Sequence, residues 1–307
     1  MIVGVPKEIK NHEYRVGITP TGAGEFVKAG HKLLVEKGAG LGSVFTDDEY
    51  RSAGATMIEA HKDVYAESEM IYKIKEPLPD ERNLLKENQI VFTYFHFAAD
   101  EKLTRACIDR KIIAIAYETI ELYDGSLPLL RPMSEIAGRM SPIVGAYYLG
   151  RPLGGMGVLM CGVPGVAPAE FLILGGGTVG MNAARIAAGM GASVTVLEIV
   201  EPRIRYLEDV LPPNVKVLKF NDSNLLESLK RADVVIGAVL VPGAKAPKII
   251  KRDMLKLMKK GAVIVDVSVD QGGIAETTKP TSHSNPVFEV DGVVHYCVAN
   301  MPGAYPR

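Results

Sequence analysis

The sequence predicts an α/β chain made of two open, mostly parallel sheets. Three observations carry that expectation. Short apolar runs alternate along the whole chain with segments of helical character, the pattern of strand–helix–strand units. One such unit holds the glycine turn Gly175-Gly176-Gly177-Thr178-Val179-Gly180, between an apolar run at 171–174 and a small-residue helix at 182–190. The 307-residue length accommodates two domains of ordinary size.

The elements follow in order. Residues 2–5 read as a strand. A helix then opens at Thr19-Pro20, with Thr as N-cap and Pro at the first helical position, and closes at Gly30. Residues 32–36 are the next strand. Thr46-Asp47-Asp48-Glu49 is a capping box, and the helix that it opens stops at Gly54. Residues 70–74, 89–94 and 112–116 are further strands with helical segments between them. Pro128 and Pro132 interrupt the linker at 127–132. Ser134 is placed to cap a long helix to about Leu149, and a Gly/Pro-rich stretch at 150–168 follows. The second half repeats the alternation, with strands at 171–174, 193–197, 215–218, 234–236 and 262–267. Asp291-Gly292 between the apolar runs 287–290 and 293–296 signals a hairpin. The expected domains are 1–130 and 131–307, each an open parallel sheet of Rossmann type, facing a central cleft at the carboxyl ends of the strands.

The glycine turn fits G-x-G-x-x-G. Gly175 permits the tight turn, Gly177 lets backbone approach a pyrophosphate, and Gly180 lets helix pack on strand. The next strand ends in Glu198, 23 positions after Gly175 and close to the ~20 expected for the acid that takes a ribose 2′-hydroxyl. The alternative is a glycine-rich turn in an ordinary α/β protein. Strand, glycines, helix, strand and acid in this order point instead to a dinucleotide. A carboxylate accepts from a 2′-hydroxyl and repels a 2′-phosphate, so Glu198 favours NAD over NADP. Arg203 would partly offset that repulsion, unless it is a solvated helix charge.

Composition excludes several classes. Lys plus Arg is 35 against 36 for Asp plus Glu, so the net charge of −1 gives no basis for a nucleic-acid partner. The three cysteines, Cys107, Cys161 and Cys297, form no C-x-x-C pair, which argues against a disulfide framework or a metal site and suits a reducing cytoplasm. No apolar run approaches the ~20 residues needed to span a bilayer, and residues 1–8 lack the long apolar core of a signal peptide.

Charged and polar residues just beyond strand ends are the candidates for chemistry. Lys75 closes a strand that Pro77 ends, on the same face as Lys73. His96 follows the strand at 89–94, between Phe95 and Phe97, and is either a packing histidine or a desolvated acid/base. Arg15, in the loop at 11–19, is a surface charge or a bidentate clamp for a small carboxylate. Asp270 follows the apolar strand at 262–267 and is a turn former or a carboxylate near a nicotinamide. With a dinucleotide site, these four form a set that can bind an acid and move protons while hydride passes.

Residues 2–8 with Arg15, and 73–77, resemble the N-terminal half of bacterial and archaeal alanine dehydrogenases. Residues 132–139, 236–243 and 298–304 resemble the later motifs of that family, so the likeness spans the chain. The resemblance implies reversible oxidative deamination of L-alanine to pyruvate and ammonia with NAD. It implies that Arg15 and Lys75 bind substrate and that His96 and Asp270 serve in acid/base catalysis. It also implies that Ser134, Thr178, Val179, Glu198, Val239, Leu240, Val267 and Asn300 line the cofactor site. The family usually carries Asp where Glu198 stands. It forms homo-oligomers, typically hexamers, and its chains continue past the equivalent of Arg307 with helices that complete the N-terminal domain, so incomplete cover of that sheet and reduced or assembly-dependent activity are expected. The alternatives are the NAD(H)-binding component of a proton-translocating transhydrogenase, or a truncated NAD-binding protein without catalysis.

Overall fold

The computed structural model describes residues 1–239 and 245–307, with Ala99 described by its backbone alone. It divides into two compact units, Met1–Leu130 with Pro302–Arg307, and Arg131–Met301.

The first unit runs β1 (Ile2–Val5), α1 (Pro20–Lys28), β2 (Lys32–Glu36), α2 (Asp47–Ser52), β3 (Thr56–Ile58), α3 (His61–Glu67), β4 (Met70–Lys75), α4 (Pro79–Arg82), β5 (Ile90–Tyr94), α5 (Glu101–Asp109) and β6 (Ile113–Ala116). Its sheet has the order β3-β2-β1-β4-β5-β6, and every pairing is parallel. Thr19 caps α1, accepting from the Gly22 N–H, and Gly30 leaves the helix at φ +83. The Thr46–Glu49 capping box forms reciprocally. Val3, Val5, Leu33 and Val35 pack with Ala23 and Tyr50 in one core cluster. Tyr65, Ile71, Val91, Phe95 and Leu103 make another. β3 had no signal in the sequence, because three residues are too few to display an alternation.

The second unit runs α6 (Arg131–Tyr148), β7 (Glu170–Leu174), α7 (Thr178–Gly189), β8 (Ser193–Glu198), α8 (Glu201–Val210), β9 (Val215–Lys219), α9 (Asp222–Arg231), β10 (Val234–Gly237), β11 (Val263–Asp266), β12 (Val287–Val290) and β13 (Val293–Tyr296). Its sheet order is β12-β13-β11-β10-β7-β8-β9, with only the β12–β13 pair antiparallel. The hairpin turn places Asp291 at φ 51 and Gly292 at φ 83, as a type I′ turn requires. One expectation is corrected. α6 begins at Arg131, so Ser134 lies inside its first turns and is not its N-cap. Pro132 explains the difference: in a first turn its missing N–H has no helical partner to lose. No helix among the described residues is long and apolar enough to cross a membrane.

Candidate functional site

In the first sheet β1 and β4 are neighbours, and the chain winds outward from them in opposite directions. Loops leaving the carboxyl ends of two such strands diverge and open a crevice, the usual place for a ligand in an open α/β sheet. Arg15 is in the loop after β1, Lys75 is the last residue of β4, and His96 lies two residues beyond β5. All three approach Tyr94. Lys75 stands opposite Tyr94 in the strand pairing. The His96 ring stacks on the Tyr94 ring, with centroids 6.0 Å apart and planes 8° from parallel. The Tyr94 phenol is pushed up to about 12, first by burial; the Arg15 charge pulls it down and Glu118 pushes it up. Its hydroxyl donates to the Leu129 carbonyl.

Each side chain is held by a specific partner. Arg15 is 8% exposed, and its Nε and Nη2 donate to the two Glu13 oxygens at 2.7 and 2.6 Å. That bidentate grip fixes the plane of the guanidinium. Lys75 is buried, with its Nζ 3.9 Å from Glu76 Oε2 and its carbonyl accepting from Thr93 Oγ1 at 2.8 Å. His96 is half-buried and left-handed, at φ 51. Its N–H donates to Glu118 Oε1 at 2.7 Å, which retains a conformation that a non-glycine residue seldom adopts.

Glu13 and Glu118 escaped the sequence reading: Glu118 acts through a tertiary contact that no spacing encodes, and Glu13, two residues from Arg15, grips it through an irregular loop that has no periodicity to read. So did a buried ionic cluster. Lys73 shares its strand face with Lys75 but is committed elsewhere: its ammonium donates to both oxygens of Glu81, at 2.7 and 2.8 Å. His61 bridges Glu36, at 2.7 Å from Nδ1, and Glu81, at 3.4 Å from Nε2. Burial alone would raise the Glu81 carboxyl, yet His61 and Lys73 hold it down at about 2. The Glu36 and then the Glu81 carboxylates hold His61 up at about 9, against an ordinary 6.5. A raised folded-state value stabilises fully below the unfolded value and fades as pH rises through the folded one. His61→Asn should therefore lower the thermal midpoint by several degrees at pH 6, and the deficit should vanish by about pH 10. A deficit independent of pH in a melting series would contradict the ionic role.

The second unit has the same geometry at the carboxyl ends of β7 and β10. Gly175 sits at φ +95, and a Cβ there would lie 2.8 Å from the Ala238 carbonyl oxygen. A Cβ on Gly180 would lie 1.9 Å from the Gly175 oxygen, so only glycine lets α7 meet the turn. A Cβ on Gly177 would meet nothing within 4 Å among the described residues. None of those neighbours demands that glycine, which leaves its smallness for a ligand. Thr178 and Val179 form the first turn of α7, whose N–H groups have no helical acceptor and no side-chain cap from Gly177 and so favour an anion. This cradle fits a dinucleotide pyrophosphate.

Glu198 ends β8 and is buried. Its Oε2 accepts from the Gly176 N–H at 2.7 Å, and its Oε1 accepts from Ile199 and Val200 N–H at 2.7 and 2.9 Å. A carboxylate with about four acceptor sites retains capacity for a ribose hydroxyl. Arg203 is half-buried rather than a solvated charge: Nε donates to the Gly176 carbonyl at 2.7 Å, and the guanidinium lies 4.8 Å over the Tyr206 ring. Val239 packs at the missing Gly175 side chain, and its carbonyl accepts from Ser268 Oγ at 2.7 Å. Leu240 lies outside the described residues. Ser134 is half-buried on α6, which approaches α7 so closely that a Cβ on Gly138 would lie 2.4 Å from the Val179 oxygen. Asn300, at φ 79, lies 3.3 Å through its carbonyl oxygen from His283 Nε2.

Val267 and Asp270 lie on the 3-10 turn Val267–Gln271 that follows β11. Asp270 is exposed. Its turn is anchored by buried Asp266, which accepts from Ser268 N–H at 3.1 Å, Ile274 N–H at 2.8 Å and Thr278 Oγ1 at 2.6 Å. Arg15, Lys75 and His96 thus share one unit, and Asp270 belongs to the other with the glycine turn.

Residues 4–137 match the model of the alanine dehydrogenase/PNT N-terminal domain, and residues 141–307 match that of the C-terminal domain. The chain is 56% identical to an alanine dehydrogenase of Methanococcus maripaludis and 53% identical to one of Staphylococcus epidermidis, in each case over all of this chain and 83% of the relative. A solved L-alanine dehydrogenase superposes with a TM-score of 0.94 at 50% identity, over all of this chain and 84% of that one. A transhydrogenase from Sinorhizobium meliloti does so at 0.84 and 25% identity, over all of this chain and 88% of that one. The chain belongs to the alanine dehydrogenase/PNT family.

Proposed function

We propose that the chain catalyses the NAD-dependent, reversible oxidative deamination of L-alanine to pyruvate and ammonia. The observation that carries this reading is the gathering of Arg15, Lys75 and His96 about Tyr94 at the switch point of the first sheet, in a chain 56% identical to an alanine dehydrogenase. NAD, held at the Gly175–Gly180 turn, supplies the hydride acceptor.

Arg15, oriented by Glu13, takes the substrate carboxylate through a planar fork. Lys75 contributes a compact positive charge to the carboxylate and to the carbonyl oxygen, where negative charge develops as ammonia adds to the pyruvate carbonyl. His96 takes the proton that the amine must lose before hydride can leave Cα, and returns one in the reverse direction. Asp270 orients the amine, or the water that releases ammonia. Glu198, with Ser134, Thr178, Val179, Arg203, Val239, Leu240, Val267 and Asn300, serves the cofactor. Residues 1–130 act as the substrate domain and 131–307 as the NAD domain. The reading includes a homo-oligomer on the hexameric pattern of the family, and a cytoplasmic location in keeping with three unpaired cysteines.

The likeness to a transhydrogenase supports a second reading, an NAD(H)-binding component that passes hydride to a partner. Purified chain given L-alanine and NAD should form NADH and pyruvate in equal amounts. NAD binding without alanine-dependent NADH would favour the second reading.

The cofactor assignment has its own test. Glu198→Ala should weaken NAD about tenfold or more and relax discrimination against NADP, since it removes the ribose acceptor and three backbone hydrogen bonds, one to the glycine turn and two to the residues after β8. An unchanged NAD/NADP ratio in calorimetric titrations would count against it.

A further inference from the structure

Glu8 follows β1 and is part of no role described so far. Its side chain is 3% exposed. One oxygen, Oε1, accepts from both the Ile74 N–H at 2.6 Å and the Lys75 N–H at 3.3 Å. The other lies 3.6 Å from Lys73 Nζ. Lys73 is itself clamped by Glu81, which also accepts from the Tyr65 hydroxyl at 2.9 Å and the Leu78 N–H at 2.7 Å. The carboxylate is therefore seated against groups fixed by two other elements, α3 and α4. Buried ionic clusters add little net stability over apolar residues of the same volume, so stability alone is a poor reason for this one.

The backbone supplies a second observation. β1 accompanies β4 only as far as Gly4 opposite Ile71. On the other side the β4–β5 register slips: Tyr72 opposes Phe92, and the next pair is Lys75 with Tyr94. β4 takes three steps where β5 takes two. Such a bulge bends its strand and re-aims the side chains beyond it. The two N–H groups that Glu8 holds, those of Ile74 and Lys75, belong to this bulged end.

We propose that Glu8 is a positioning residue for Lys75: its Oε1 holds the bulged end of β4 and fixes the direction from which Lys75 meets the substrate. The proposal rests on the reading of Lys75 as a substrate-binding residue. Reach, rather than charge, is what this role demands. An amide of the same length keeps the acceptor oxygen that meets the Ile74 and Lys75 N–H groups.

Two full-length variants separate reach from charge. Glu8→Gln keeps the length and the acceptor oxygen; Glu8→Asp keeps the charge and is one methylene short. In reductive amination of pyruvate, Glu8→Gln should stay within a few-fold of the wild-type KM. Glu8→Asp should raise KM about ten- to a hundredfold with a smaller fall in kcat, as a misplacement on the order of 1 Å would. NAD affinity should be unchanged in both. Amide exchange at Ile74 and Lys75 reads the same hold without turnover, and should quicken in Glu8→Asp and not in Glu8→Gln. A wild-type KM in Glu8→Asp, equal impairment of the two variants, or unchanged exchange in both would overturn the proposal while leaving the functional reading intact. A wild-type chain that turns over neither alanine nor pyruvate would remove that reading, and the proposal with it.

Discussion

Lys75→Ala is expected to lower turnover by about 10²- to 10³-fold or more while leaving NAD binding within a factor of about two. The argument is one of place and charge. Lys75 is 6% exposed, at the very end of β4, and its backbone is fixed by Glu8 and Thr93. A preorganised ammonium at a water-poor site does more for a developing oxyanion than the same charge in water. The glycine turn and Glu198 belong to the other compact unit, so the cofactor site keeps all of its own contacts. Losing Lys75 also leaves Glu76, whose carboxyl is held down against burial by Lys75 and then Lys10, with Lys10 as its remaining cation. That ion pair should keep the variant folded. Arginine is not an adequate replacement, because a planar guanidinium cannot present a point charge from the same stem. Steady-state kinetics with a calorimetric NAD titration on the same sample checks both halves; normal turnover in the alanine variant would refute the assignment.

His96→Gln should depress turnover by about 10²- to 10⁴-fold and remove the limb of the pH–rate profile that depends on an ionising base. The left-handed backbone at His96 complicates any substitution, since glutamine is as poorly suited to φ 51 as most residues. His96→Asn is the companion variant: asparagine tolerates that conformation and likewise lacks an ionising ring. Agreement between the two assigns the loss to the imidazole rather than to backbone strain. A rate and profile matching wild type in both would make His96 a packing residue stacked on Tyr94.

Much of this architecture was legible in the sequence, where local physics determines local structure. The Thr46–Glu49 capping box, the Asp291-Gly292 turn and the glycine fingerprint each encode a backbone geometry in adjacent residues, and each appears in the structure. Arg15, Lys75 and His96 were legible as residues beyond strand ends, but their common neighbour Tyr94 was not. It closes β5, and only the register of β5 against β4 places it opposite Lys75. Glu8, Glu81 and Glu118 were hidden for the same reason. Glu8 meets Ile74 and Glu118 meets His96 across the folded sheet, and hydrophobic periodicity has no bearing on such pairs. Where the helix at Ser134 was misplaced, two local rules competed: a good N-cap residue lost to a proline suited to the first turn.

The central claim is that hydride passes from the α-carbon of alanine to NAD on this chain. L-Alanine carrying deuterium at C2 tests it most directly. Incubated with the purified chain and unlabelled NAD, it should yield NADH that carries one deuterium at C4 of the nicotinamide, with pyruvate as the co-product. NADH formed without the label, or no NADH at all from a chain that binds NAD, would contradict the account.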